Sequence, residues 1–185
     1  MERASNENVF FTLLPNIDVE SIPQIKKMLQ DYPDQCSGMM GLHPCSVKDD
    51  FREQLEAIKN ELETGDYIAV GEIGIDLYWD KSNLPAQIEA FEMQINWAKE
   101  LNLPIVIHAR ESFDEIFEVL NRLHDESLRG VFHCFTGSED QAKKALSYSG
   151  FYLGLGGVLT FKNAGLDKVI EIGRASCRER VCHRV

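Results

Sequence analysis

Three residues of metal-ligating type stand at the ends of apolar runs. Glu72 lies within Val70-Gly71-Glu72-Ile73-Gly74-Ile75-Asp76, His108 near the end of Pro104-Ile105-Val106-Ile107-His108-Ala109-Arg110, and His133 within Val131-Phe132-His133-Cys134-Phe135. Imidazole and carboxylate are the usual ligands of Zn, Mn, Fe or Mg, and a site needs them converging from separate elements. Taken singly, each also fits a hydrogen-bonded polar residue at a strand end. Three coincident placements favour a metal centre. A set of two histidines and one carboxylate also suits non-haem Fe(II) oxygenases, but nothing else in the chain points there.

Short runs rich in Ile and Val read as parallel strands buried on both faces, with polar groups confined to their mouths. On that pattern strands are expected at residues 9–14, 39–42, 67–75, 104–110, 130–135 and 151–159. Between them, Ile22, Ile25, Met28 and Leu29 recur at helical spacing, as do Phe51, Leu55, Ile58 and Leu62, then Ile88, Phe91, Ile95 and Ala98, then Phe113, Ile116, Phe117 and Leu120. Ser46 or Asp49 is placed to cap the second of these helices and Ser112 the fourth. Further helices are expected near 138–149 and from Asn163 to about Ile170. The unit is strand then helix, six times. Both a doubly wound open sheet and a barrel fit such alternation. Candidate functional groups after several different strands favour the barrel, and no G-x-G-x-x-G or P-loop follows the first strand. The expected fold is therefore α/β, a partial TIM (β/α)8 barrel over residues 9–172 with about six of eight βα units, since a complete barrel runs to ~250 residues.

The chain has 185 residues, 44% hydrophobic and 26% charged, and no low-complexity run. No apolar segment approaches the ~20 residues of a membrane span, so a cytoplasmic protein without membrane association is expected. A net charge of −11 argues against broad binding to duplex phosphates. It leaves open an enzyme that takes a nucleic-acid end into a small site where cations screen the charge. Cys36, Cys45 and Cys134 read as reduced thiols, mostly buried, and His124 as solvated surface.

The motifs Gly41-Leu42-His43-Pro44, Gly71-Glu72-Ile73-Gly74-Ile75-Asp76 with Tyr78-Trp79-Asp80, Leu103-Pro104 through His108-Ala109-Arg110, and His133-Cys134-Phe135-Thr136-Gly137 resemble the TatD family. That family comprises metal-dependent deoxyribonucleases within the amidohydrolase-like TIM barrels. The resemblance spans roughly residues 9–170. It implies a two-metal phosphodiesterase acting on DNA, exonucleolytically, with Mg, Mn or Zn. Glu72 matches the bridging, catalytic carboxylate, His108 and His133 the histidines of one ion, and His43 and Arg110 positions at the substrate phosphate. No protein partner is implied.

Two departures qualify the match. No two histidines stand two residues apart, so the family's His-x-His pair is absent, and so is its late Thr-Asp-x-Pro-like aspartate. One well-liganded ion at most, and little nuclease activity, are the expectation. Two other readings stay open: an amidohydrolase-like enzyme acting on a cyclic amide or ester, and a non-catalytic metal-binding remnant. From Gly173 the apolar periodicity stops, and four Arg with two Glu between 171 and 185 reverse the local charge. Residues 173–185 resemble translated sequencing-adapter DNA and are expected to be disordered. Cys177, Cys182 and His183 are accordingly not read as a metal cluster. Open sheet edges with exposed apolar residues are expected at 9–14 and 151–159.

Overall fold

In the computed structural model, which describes residues 2–161 and 165–176, six strands form one parallel sheet. They are β1 (Thr12–Pro15), β2 (Cys36–Met40), β3 (Tyr67–Asp76), β4 (Ile105–Arg110), β5 (Gly130–Phe132) and β6 (Phe151–Leu153). Their spatial order follows the chain without reversal, and every neighbouring pair is parallel. A doubly wound sheet requires a reversal of order. Sequential parallel strands joined by helices are consecutive units of a (β/α)8 barrel.

The helices are α1 (Glu2–Asn6), α2 (Ile22–Asp31), α3 (Phe51–Thr64), α4 (Leu84–Glu100), α5 (Phe113–Leu123), α6 (Glu139–Ser147) and α7 (Asp167–Ser176). Prolines occupy the first turns of α2 and α4, where a missing N–H costs nothing. Helix α6 begins with a capping box between Ser138 and Gln141. The alternation of strand side chains divides the core in two. Met40, Val70, Ile73, Ile75, Ile105, Ile107 and Phe132 face the helices, while Met39, Ala69, Val106 and Val131 line the opposite, inner face. No helix among the described residues is long and apolar enough to cross a membrane.

Several boundaries differ from the sequence expectation. The first strand runs from 12 to 15, and β6 ends at Leu153, followed by a tight helical turn at Gly157–Thr160. Asp50, rather than Ser46 or Asp49, precedes α3. Ser112 stands at the N-cap of α5 but does not cap it. Its hydroxyl donates to the Ile75 carbonyl at 2.5 Å and accepts from the Arg110 N–H at 3.1 Å, tying β3 to β4. His124 is half-buried rather than solvated: its Nε2 donates to the Ser149 carbonyl at 3.0 Å, and its ring lies 5.2 Å from that of Tyr148. Helix α7 begins at Asp167, after the described part of the chain resumes, and runs to Ser176, past the expected end near Ile170, so residues 173–176 are helical rather than disordered. Residues 177–185, with Cys177, Cys182 and His183, lie outside the described residues. Exposed apolar side chains do gather at the outer strands, with Phe10, Phe11 and Leu13 near β1 and Val158 and Phe161 after β6.

Three buried amides hold the C-terminal ends of the strands. Gln94 of α4 accepts from the Leu42 N–H at 2.7 Å and donates to the Leu42 and Ala90 carbonyls. Gln87, two turns earlier, accepts from the Asp76 N–H at 2.8 Å and donates to the Asp76 carbonyl at 3.1 Å. Asn16, just past β1, donates to the Gly41 carbonyl at 2.9 Å and accepts from the Ser21 hydroxyl. All three are at most 2% exposed. A buried backbone group left unpaired costs about 1–3 kcal/mol. Gln94→Leu is therefore expected to lower stability by about 2–4 kcal/mol in urea denaturation, despite its greater hydrophobicity. An unchanged midpoint would show that Leu42 finds other partners.

Candidate metal centre

The polar groups sit just past β2, at the end of β3 and near the end of β4, except that Glu72 lies within β3 rather than at its end as the sequence suggested. His43 follows β2 and is anchored twice, its N–H donating to the Ile17 carbonyl at 3.0 Å and Gln94 fixing the preceding residue. Glu72 lies at a register shift between β3 and β4, where Gly71 pairs with Val106 and Ile73 with Ile107. Such a bulge leaves the residue between without a ladder partner and re-aims its side chain. Gly74, at φ +139°, allows the close approach of the two strands beyond it, since a Cβ there would lie 2.1 Å from the His108 carbonyl oxygen.

Around His108 these elements build a polar chain. Its Nε2 lies 2.8 Å from Asp76 Oδ2, while Nδ1 lies 3.1 Å from Glu72 Oε1 and 3.3 Å from His43 Nε2. Asp76, 3% exposed, is held in turn by the backbone N–H groups of Tyr78 and Trp79 on its Oδ1, at 3.0 and 3.4 Å. One donor atom each from His43, Glu72 and His108 fall within 4.8 Å of one another.

Tautomers separate the roles of these three. Asp76 as a carboxylate only accepts, so His108 Nε2 carries a proton and Nδ1 turns toward Glu72. Glu72 Oε1 and a neutral His108 Nδ1 are both acceptors, and 3.1 Å apart they need a proton or a cation between them. That is the donor set of a divalent metal ion. His43 differs, because the Cys45 N–H donates to its Nδ1 at 3.1 Å. The neutral ring then carries its proton on Nε2 and presents a donor, not a lone pair, to the cluster.

Charge states follow the same arrangement. Burial, then the charge of His108 beside it, push His43 down to about 4. Burial also opposes charge on His108, but its bonds to Glu72 and Asp76 outweigh this and raise its pKa. For Glu72, burial acts upward and is overcome by the His108 bond and by the charges of His133, His108 and His43, leaving it lowered. His133 is thus within electrostatic range, yet it does not join the three-residue group. The chain leaves β5 at Phe132, Cys134 takes φ +44°, and the exposed His133 ring sits with Nε2 3.2 Å from Cys134 Sγ. Arg110, at the end of β4, stacks its guanidinium 3.7 Å above the Tyr78 ring. Sequence reading assigned no role to Asp76, although it stands in the same motif as Glu72. A short polar residue closing an apolar strand was the available signal.

In metal-free protein, NMR should show His43 titrating near 4 with its proton on Nε2, and His108 titrating above the usual ~6.5. A raised folded pKa means that His108 contributes stability fully present below about pH 6.5 and lost as pH rises through the folded value. Asp76→Asn should lower the His108 pKa and flatten this dependence in denaturant titrations at pH 6 and 9. An unaltered titration would show that Asp76 does not hold the ring.

The TatD related DNase family model matches residues 1–181. An uncharacterized metal-dependent hydrolase, YabD, of Bacillus subtilis is 37% identical over 92% of this chain and 66% of its own length. A relative in Yersinia pseudotuberculosis named 3′-5′ ssDNA/RNA exonuclease TatD is 30% identical, over 90% of this chain and 64% of its own. The crystal structure of YjjV, a TatD homologue from Escherichia coli K12, superposes with a TM-score of 0.82 at 29% identity, covering 89% of this chain and 63% of that one. The chain spans less than two thirds of the length of these relatives. With its sequential parallel strands and the polar cluster at their C-terminal ends, the chain belongs to the TatD related DNase family.

Proposed function

We propose that the chain carries the metal-binding part of a divalent-metal-dependent hydrolase that cleaves phosphodiester bonds of DNA from a strand end. The observation that supports this most directly is the pair of facing acceptors, Glu72 Oε1 and His108 Nδ1, 3.1 Å apart on adjacent strands. Glu72 and His108 would hold the ion, Mg, Mn or Zn, with the nearby His133 as the third ligand. When bound, such an ion supplies Lewis acidity and lowers the pKa of water. The name of the exonuclease relatives supports nucleic acid as the substrate.

The remaining groups bind and orient. His43 Nε2–H and the Arg110 guanidinium both donate, and a phosphate offers only acceptors, so the two would grip its non-bridging oxygens. Asp76 keeps the proton of His108 on Nε2 and thereby the lone pair of Nδ1 toward the site. A cytoplasmic place of action accords with Cys36, Cys45 and Cys134, which are unpaired, although Cys45 and Cys134 are exposed and not buried as the sequence suggested.

Titration calorimetry with Mn²⁺ and Zn²⁺ should show a divalent ion bound, with binding lost in Glu72→Ala and His108→Ala. Hydrolysis of a 3′-labelled single-stranded oligonucleotide should stay far below that of a full-length relative, because the described residues gather ligands for one ion. No metal binding by the wild-type chain would sink the reading. Turnover equal to the relative's, abolished by Glu72→Ala, would overturn the one-ion assignment.

A further inference from the structure

Beyond the metal cluster, the loop that leaves β3 displays two large aromatic side chains to solvent. Trp79 is 72% exposed and Tyr78 49%. Exposed aromatic surface is not unusual by itself, but this pair is held in place. Both backbone N–H groups are bound by Asp76 Oδ1. The two rings meet edge to face at 4.8 Å and 89°. Arg110 lies across them, its Cζ 3.7 Å from the Tyr78 centroid and 5.5 Å from that of Trp79. The tether also reaches inward, since the other oxygen of Asp76 holds His108.

The rim of this platform is mixed in charge, with exposed Asp80 and Glu111 among its basic groups. At a net −11, the rim nonetheless carries exposed Lys48, Lys81 and Arg110. Lys48 lies close enough to act on Asp80 and Cys45, and Lys81 pairs loosely with Glu111 at 3.8 Å. Among the described residues Arg110 makes no ion pair, and its guanidinium is spent on the aromatic faces alone. A flat π-surface beside a guanidinium with free N–H groups recognises a planar ring attached to an anion.

We propose that Trp79, with Arg110 stacked on Tyr78 beside it, forms a subsite for one unpaired nucleobase and its adjoining phosphate. The base lies on the exposed indole, and the phosphate meets the outward N–H groups of Arg110. In a duplex the base faces are already covered by their neighbours, so the subsite selects single strands. Stacking also tolerates any base, so it confers strand selection without sequence selection. Shared anchoring on Asp76 sets this base at a fixed distance from His108. The choice of a nucleic acid over another ring-bearing anion rests on the function proposed above, but the subsite itself needs no metal.

The test is therefore made in EDTA, where failure of the metal assignment leaves the result unaffected. Trp79 and Trp97 are the two tryptophans, and Trp97 is 5% exposed, so it serves as an internal reference. At low salt, single-stranded oligothymidylate should quench part of the intrinsic emission, and the quench should vanish in Trp79→Ala while the Trp97 emission persists. By anisotropy of a labelled strand, Trp79→Ala should weaken binding roughly 10-fold, Trp79→Phe should restore most of it, and Arg110→Gln should weaken it and flatten its salt dependence. A duplex of equal length should compete poorly. Undiminished binding by Trp79→Ala, or equal competition by the duplex, would overturn the subsite, even with metal binding intact.

Discussion

A parallel strand that ends in a functional side chain faces a problem of backbone accounting. Its ladder stops where the next strand turns away, yet the peptide groups there remain buried and must find partners. Here the partners are side-chain amides. Gln94 closes the gap beside His43, Gln87 beside Asp76, and Asn16 bridges β1 to Gly41. Because an amide offers a donor and an acceptor together, each glutamine satisfies both the N–H and the C=O of one residue, which belong to two successive peptides. The buried peptide groups at the C-terminal end of the sheet thereby find partners, and Glu72 and His108 are left to face one another instead of capping the strands that carry them.

That freedom shows in the charges. Asp76 is almost wholly buried, but two N–H groups and an imidazole neutralise its charge. Glu72 has fewer fixed donors and depends on neighbouring histidines to stay ionised. The result is a gradient along one line, from a carboxylate that is satisfied by protein to one that is satisfied only in part. On the function proposed above, a cation would sit at the second and not at the first. His43, pushed down to about 4, remains neutral at ordinary pH and adds a donor without adding charge.

Much of this was legible in the sequence. Runs of Ile and Val marked β3 and β4, and apolar spacing marked the inward faces of α3 and α5, because buried faces leave a periodic trace. The same logic hid the amides. Counting apolar positions on α4 finds Phe91, Ile95 and Ala98 but scores Gln87 and Gln94 as polar, although both are buried. His133 was grouped with Glu72 and His108 on its place after an apolar run, but the left-handed turn at Cys134, which follows it and bends the chain there, leaves no trace in hydropathy. Strand length was also overestimated at β6, where Gly154, Gly156 and Gly157 read as part of an extended run and the chain turns instead.

The placement of the two glutamines on α4 has a consequence for how the chain can vary. They stand seven residues apart, two helical turns, so both point to the same side of one rigid rod. One deletion between them would swing either amide about 100° around the axis and strand one of its two peptides. In this barrel the tolerance for indels is set in part by a helix that contributes no residue to the polar cluster it holds in place.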